Sequence, residues 1–213
     1  MASNDSQSLF IDGPSGNLEA ILENLSAASK GIMIVCHPHP LHGGTMQNKV
    51  VHTLARSAQA LGLASLRFNY RGVGQSGGEY DEGKGETEDL LAVIDWLDGQ
   101  FPAIPIWLAG FSFGAYVAMS ASTRRHTTQL ITVAPAVNLL RFEGIRLPEC
   151  PWLLIMGDQD EIVPFGTVTD WVAGLAHGPE TVYFQDTGHF FHGQLVNLKN
   201  SVIERLTAAA ERL

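Results

Sequence analysis

At 213 residues, with 45% of its side chains hydrophobic, the chain can bury one full core without disulfide or metal staples. Its 13 basic side chains against 22 acidic ones give a formal charge of −9, which argues against a nucleic-acid partner, because such binding rests on clustered Lys and Arg. Two cysteines, Cys36 and Cys150, build no disulfide framework and read as small buried hydrophobes of a reducing compartment.

The opening stretch, MASNDSQSLF, is polar and carries neither the basic nor the apolar region of a secretory leader. No apolar run approaches the ~20 residues that cross a bilayer. The expectation is a single cytoplasmic domain over residues 1–213 with no membrane partner.

Two strand-like runs, SLFIDG and NLEAILENL, flank Gly-Pro-Ser-Gly, a hairpin signal. GIMIVCHPHP follows as a continuous apolar run that stops abruptly at His and Pro. Continuous rather than alternating hydrophobicity predicts a strand buried on both faces, as in a parallel sheet. NKVVHTLARSAQALG then has helical periodicity and a closing glycine. The alternation repeats: LASLRFNY is a strand, ETEDLLAVIDWLDGQF a helix, IPIWLAGF a strand and FGAYVAMSASTRR a helix. QLITVAPAV and PWLLIMG are further strands, the second followed by a helix from near Pro164. TVYFQDT is the last strand, and GQLVNLKNSVIERLTAAAERL a long amphipathic helix. Strands alternating with helices predict an α/β fold, a mostly parallel sheet of about eight strands covered by helices on both faces. The acidic stretch at residues 77–89 reads as a solvated loop and a first helical turn whose negative charge suits the dipole.

One spacing carries chemistry. Gly110, Ser112 and Gly114 form G-x-S-x-G where a buried strand turns into a helix. So tight a turn leaves room only for glycine on either side and lifts the hydroxyl to a helix N-terminus, where a developing oxyanion is stabilised. A serine nucleophile needs a base, and the base needs an orienting carboxylate, in the chain order Ser, acid, His. Asp158 and Asp160 end the strand LLIMG, and His189 ends the next. Taken singly, the aspartates read as helix caps and the histidine as structural; order and placement together favour the catalytic reading. Asp160, farther out on its loop, is the better placed to reach His189. An oxyanion hole would draw one N–H from Phe113 and a second from the loop HPHPLHGG, at His39 or Leu41.

Over nearly its whole length the chain resembles the α/β-hydrolase superfamily. More narrowly, it is similar to small bacterial serine hydrolases related to dienelactone hydrolases that carry H-P-H-P-x-x-G-G-T-M, here His37 to Met46. LRFNYRGVGQSGG at residues 66–78 fits the same group, and its G-D-x-D-x-x-V-P pattern falls on Gly157 to Pro164. That resemblance implies Ser112, Asp160 and His189 as the triad, with serine where dienelactone hydrolases proper use cysteine. It also implies a carboxylesterase-like enzyme without a cofactor. RFEGIRLPEC, between QLITVAPAV and PWLLIMG, is too short to hold the helical cap that many members insert. The site should then be a shallow groove under loops 41–48, 138–150 and 189–193, suited to small esters or thioesters. Leu41, Met46, Phe113, Phe190 and Phe191 are the apolar residues placed to line it, with core packing as their alternative.

Two rival readings differ in class. His37, His39 and His42 form an H-x-H-x-x-H array that would suit a metal-dependent hydrolase, although no carboxylate ligand lies nearby. Alternatively, the fold serves only as a binding module, since fold alone does not establish catalysis. The sequence leaves the oligomeric state open, a homodimer included.

Overall fold

The computed structural model describes residues 5–213, the side chains of Ser29 and Glu143 excepted. The first four residues of the polar N-terminal stretch therefore lie outside the described residues. The Gly-Pro-Ser-Gly signal closes an antiparallel hairpin between β1 (Ser6–Gly13) and β2 (Gly16–Glu23), with Gly13 opposite Gly16. The continuous apolar runs become β3 (Ile32–Cys36), β4 (Ala64–Phe68), β5 (Ile106–Phe111), β6 (Gln129–Val133) and β7 (Trp152–Gly157), every residue of which is buried. An edge strand, β8 (Glu180–Phe184), is partly exposed.

Among the described residues these eight strands form one sheet in the order β1-β2-β4-β3-β5-β6-β7-β8, parallel from β4 to β8. Its two faces explain the continuous hydrophobicity. Met33 and Val35 of β3 point into one core, with Trp107, Ala109 and Phe111 of β5. Ile32, Ile34 and Cys36 point into the other, with Ile106 and Leu108. The first core is closed by α1 (Lys49–Ala60) and α5 (Leu195–Ala210), through Val51, Leu54, Leu198 and Val202. The second is closed by α2 (Lys84–Gln100), α3 (Phe113–Ser122) and α4 (Phe165–Ala173), through Leu90, Ile94, Val117 and Val168. The expected α/β sheet is thus present, and no described helix is long and apolar enough to cross a membrane.

Two further features concern the site. Between β6 and β7 only a short 3₁₀ turn at Phe142–Gly144 is formed, and no cap stands there among the described residues. The acidic stretch keeps Glu79, Asp81, Glu82 and Glu88 exposed as expected, but Glu86 and Asp89 are fully buried. Asp89 accepts from the Arg71 backbone N–H at 2.9 Å and from its guanidinium at 2.7 Å, while Glu86 accepts from the N–H groups of Asp81 and Gly83 at 2.9 and 2.7 Å. Buried carboxylates demand such partners. Here they pin the loop after β4 to the start of α2 rather than solvate it.

Candidate active site

The parallel strands all end at one edge of the sheet, where ligand sites of such folds lie. At the end of β5, Ser112 adopts φ 56°, ψ −114°, a strained conformation for a residue with a side chain. The fold over-determines it: the Ser112 N–H donates to the Val133 carbonyl on β6 at 2.8 Å, and α3 starts at the next residue. Both flanking glycines are required by space. A Cβ on Gly110 would strike the Gly114 carbonyl oxygen, and one on Gly114 would strike the carbonyl oxygens of Cys36 and His37.

On the loop after β7, Asp160 is buried and fully satisfied. Its Oδ1 accepts from the N–H groups of Ile162 at 2.9 Å and Val163 at 2.7 Å, and its Oδ2 accepts from His189 Nδ1 at 2.7 Å. A donating Nδ1 leaves the Nε2 lone pair of a neutral ring free. Phe111 and Phe190 pack on that ring at centroid distances of 5.0 and 5.1 Å. The His189 backbone N–H donates to Glu161 Oε2 at 3.0 Å, a support that the sequence reading missed. Asp158 takes no part: its Oδ1 is buried without a hydrogen-bond partner. Ser112 and His189 line one cavity of about 550 Å³, although no hydrogen bond joins them in this structure. Such contacts are often loose before substrate binds.

The N–H groups of Phe113 and His39 donate to no acceptor among the described residues. Leu41 requires correction on both roles expected of it. Its N–H already donates to His39 Nδ1 at 3.2 Å, and its side chain is 68% exposed, outside the cavity lining. Two other expected lining residues are core. Met46 is buried, held by its N–H donating to Asn69 Oδ1 and its carbonyl accepting from Arg67. Phe191 is fully buried against Phe184, because the turn at φ 52° sends it inward while Phe190 points out. Phe113 and Phe190 do line the cavity, together with Tyr80, Leu139, Leu140 and Ile162, which the sequence reading did not single out. Leu139, Leu140 and Ile162 follow β6 and β7, so their position after strand ends was the available signal, whereas Tyr80 lies far beyond the end of β4.

The three loop histidines do not act as one array. His37 is buried, with Nδ1 donating to the Pro38 carbonyl at 2.7 Å and Nε2 accepting from the Tyr70 N–H at 3.2 Å, so neither nitrogen is free for a metal. Burial pushes its pKa down to about 3. His39 sits between the Leu41 N–H and the Tyr80 hydroxyl, the latter at 3.2 Å from Nε2. Burial, followed by the His42 ring beside it, lowers its pKa as well.

An elbow serine at the middle of a mostly parallel sheet, with no cap above it among the described residues, defines a capless α/β serine hydrolase. The chain belongs to the family Hydrolase_4, described as serine aminopeptidase, S33, whose profile matches residues 27–147. It is similar to an α/β serine hydrolase homologue from Coxiella burnetii, with 45% identity, a TM-score of 0.90, and coverage of 94% of this chain and 97% of that one. XC6422 from Xanthomonas campestris, described as an α/β serine hydrolase without lid, is 41% identical at a TM-score of 0.90, with 95% and 94% covered. The uncharacterized protein RP471 of Rickettsia prowazekii is 36% identical over 174 residues, 79% of this chain and 73% of that protein.

Proposed function

We propose that the protein is a carboxylesterase-like hydrolase that cleaves small esters or thioesters through an acyl-enzyme, with Ser112, His189 and Asp160 as its triad. The observation that carries this reading is the hydrogen bond of His189 Nδ1 to Asp160 Oδ2, which leaves Nε2 to serve Ser112 on the same cavity. His189 Nε2 takes the Ser112 proton as Oγ attacks the acyl carbon, and Asp160 stabilises the resulting imidazolium. The N–H groups of Phe113 and His39, with the N-terminus of α3, receive the oxyanion. His189 then returns the proton to the departing alkoxide or thiolate, and water releases the acid by the same path.

The cavity lining supports esters over peptides with a free amino end. An aminopeptidase holds its substrate's α-ammonium, for which a carboxylate is the natural partner. Among the described residues the cavity is lined by imidazole, amide, hydroxyl and apolar groups, with no Asp or Glu.

The test is labelling by a fluorophosphonate probe alongside hydrolysis of p-nitrophenyl butyrate. Wild-type protein should do both, and Ser112→Ala should lose labelling and on the order of 10⁶-fold in kcat. Activity retained by Ser112→Ala would overturn the reading, and a wild type inert in both assays would return the fold to a binding role. Chelators should leave the activity unchanged.

A further inference from the structure

The wall of the cavity formed by His39 and Tyr80 holds a donor that the proposed chemistry does not use. His39 Nδ1 accepts from the Leu41 N–H, so the single proton of the neutral ring resides on Nε2. That proton faces Tyr80 Oη at 3.2 Å, which makes Tyr80 the acceptor of this contact. The hydroxyl hydrogen of Tyr80 must then point elsewhere. No other acceptor among the described residues meets it, and Tyr80 lines the cavity shared with Ser112.

The position is also built to hold still. Arg71 on Asp89 anchors the loop before Tyr80, and Glu86 grips the Asp81 and Gly83 N–H groups just after it. The Tyr80 ring rests against the rings of His39 and Phe113, at centroid distances of 5.1 and 6.0 Å. Burial, then the charges of Glu86 and Glu82, raise the phenol pKa, which keeps the hydroxyl a donor.

Strand order decides which part of a substrate this donor meets. Tyr80 rests against His39 on the loop after β3, and His189 follows β8, on opposite sides of the serine at the end of β5. The leaving group must lie by His189, which protonates it. The acyl portion therefore takes the rest of the cavity, where it meets both the Tyr80 hydroxyl and the wall made by Leu139 and Leu140.

On the basis of the esterase reading, we propose that the Tyr80 hydroxyl is a specificity element that donates a hydrogen bond to an acceptor oxygen in the acyl group. The preferred substrates are accordingly esters of alkoxy- or oxo-substituted short acids rather than of plain alkanoic acids of the same size. A donor left without a partner by the plain acyl chain is what gives the discrimination.

The test compares p-nitrophenyl methoxyacetate with p-nitrophenyl butyrate, which match in chain length, on wild type and Tyr80→Phe. Comparing each ester with itself across the two proteins cancels their intrinsic difference in reactivity. In Tyr80→Phe, kcat/KM for methoxyacetate should fall about fivefold more than kcat/KM for butyrate, the worth of one neutral hydrogen bond. An equal fall for both esters would overturn the proposal, because Tyr80 would then act only by holding His39. No fall for either would overturn it too. Binding of methoxyacetone and 2-pentanone to Ser112→Ala, with and without Tyr80→Phe, separates this from failure of the esterase reading. Preference for methoxyacetone that disappears with the Tyr80 hydroxyl supports the proposal even in a protein without esterase activity, and its persistence refutes it.

Discussion

Asp160 and His189 are joined by one short hydrogen bond, and the other oxygen of the carboxylate is already committed to the Ile162 and Val163 N–H groups. The carboxylate therefore cannot rotate without breaking its own turn, and the imidazole is held in a single tautomer. Asp160→Asn should lower kcat by on the order of 10⁴-fold, because the amide NH₂ favours the opposite tautomer. Asp158→Asn should cost far less, since Asp158 has no bond to His189 and its Oδ1 has no partner to lose. Both variants would be assayed at saturating short-chain ester. A larger loss from Asp158→Asn would reverse the assignment.

Gly114 and Gly99 offer a matched pair of substitutions. A Cβ on Gly114 would run into the carbonyl oxygens of Cys36 and His37, while one on Gly99, exposed near the end of α2, would meet nothing within 4 Å. Gly114→Ala should cost about 1–3 kcal/mol as an overpacked site and should also depress kcat, since the strain falls on the chain leading to His39. Gly99→Ala should stabilise by roughly 0.5–1 kcal/mol, the helix-propensity gain, without touching kcat. Urea denaturation with parallel kinetics checks both, and similar stability changes for the pair would contradict the packing at the elbow.

His37 predicts a pH dependence of stability. Its pKa in the folded chain is pushed down to about 3 by burial, from an ordinary value of 6.5. Between those values the unfolded chain binds a proton that the folded chain refuses. Stability should therefore fall as pH drops below 6.5, by up to about 1.4 kcal/mol per unit from this group. His37→Asn removes the titrating ring and should be less stable at pH 7, yet flatter in its unfolding free energy from pH 7 to 4. Parallel slopes for the two proteins would refute the assignment.

The sequence made most of this architecture legible through physics that is local to each element. A strand buried on both faces has to be apolar throughout, so β3 to β7 announce themselves, and the glycines around Ser112 follow from the tightness of one turn. What stayed hidden depends on distant partners or on the sense of a turn. Glu86 and Asp89 look like any solvated acidic run, because the Arg71 that buries Asp89 lies 18 residues away. Phe190 and Phe191 are chemically alike, and only the reversal at φ 52° decides which faces the cavity. Leu41 was a fair oxyanion candidate until His39 Nδ1 claimed its N–H. Tyr80 carried no local mark, since its place beside Ser112 arises from β4 pairing with β3 and β3 with β5.

The cavity should set an acyl-length preference. Its far wall is made by Ala136, Leu139 and Leu140 on the loop after β6, and among the described residues no cap stands above to extend an apolar tunnel. Each methylene buried in such a pocket contributes about 0.8 kcal/mol, close to fourfold in kcat/KM, until the wall is reached. Across p-nitrophenyl alkanoates, kcat/KM should climb and then break within about two to six carbons, because an exposed methylene gains none of that transfer free energy. Leu140 is half-buried and packs on the core, so Leu140→Ala should open the wall. The break should move outward by about two carbons, roughly the length of side chain removed, at the cost of some stability. The profile of kcat/KM against chain length in both proteins is the measurement. A wild-type profile rising steadily to long-chain esters, or a break that Leu140→Ala leaves in place, would mean that the acyl chain runs along a different wall.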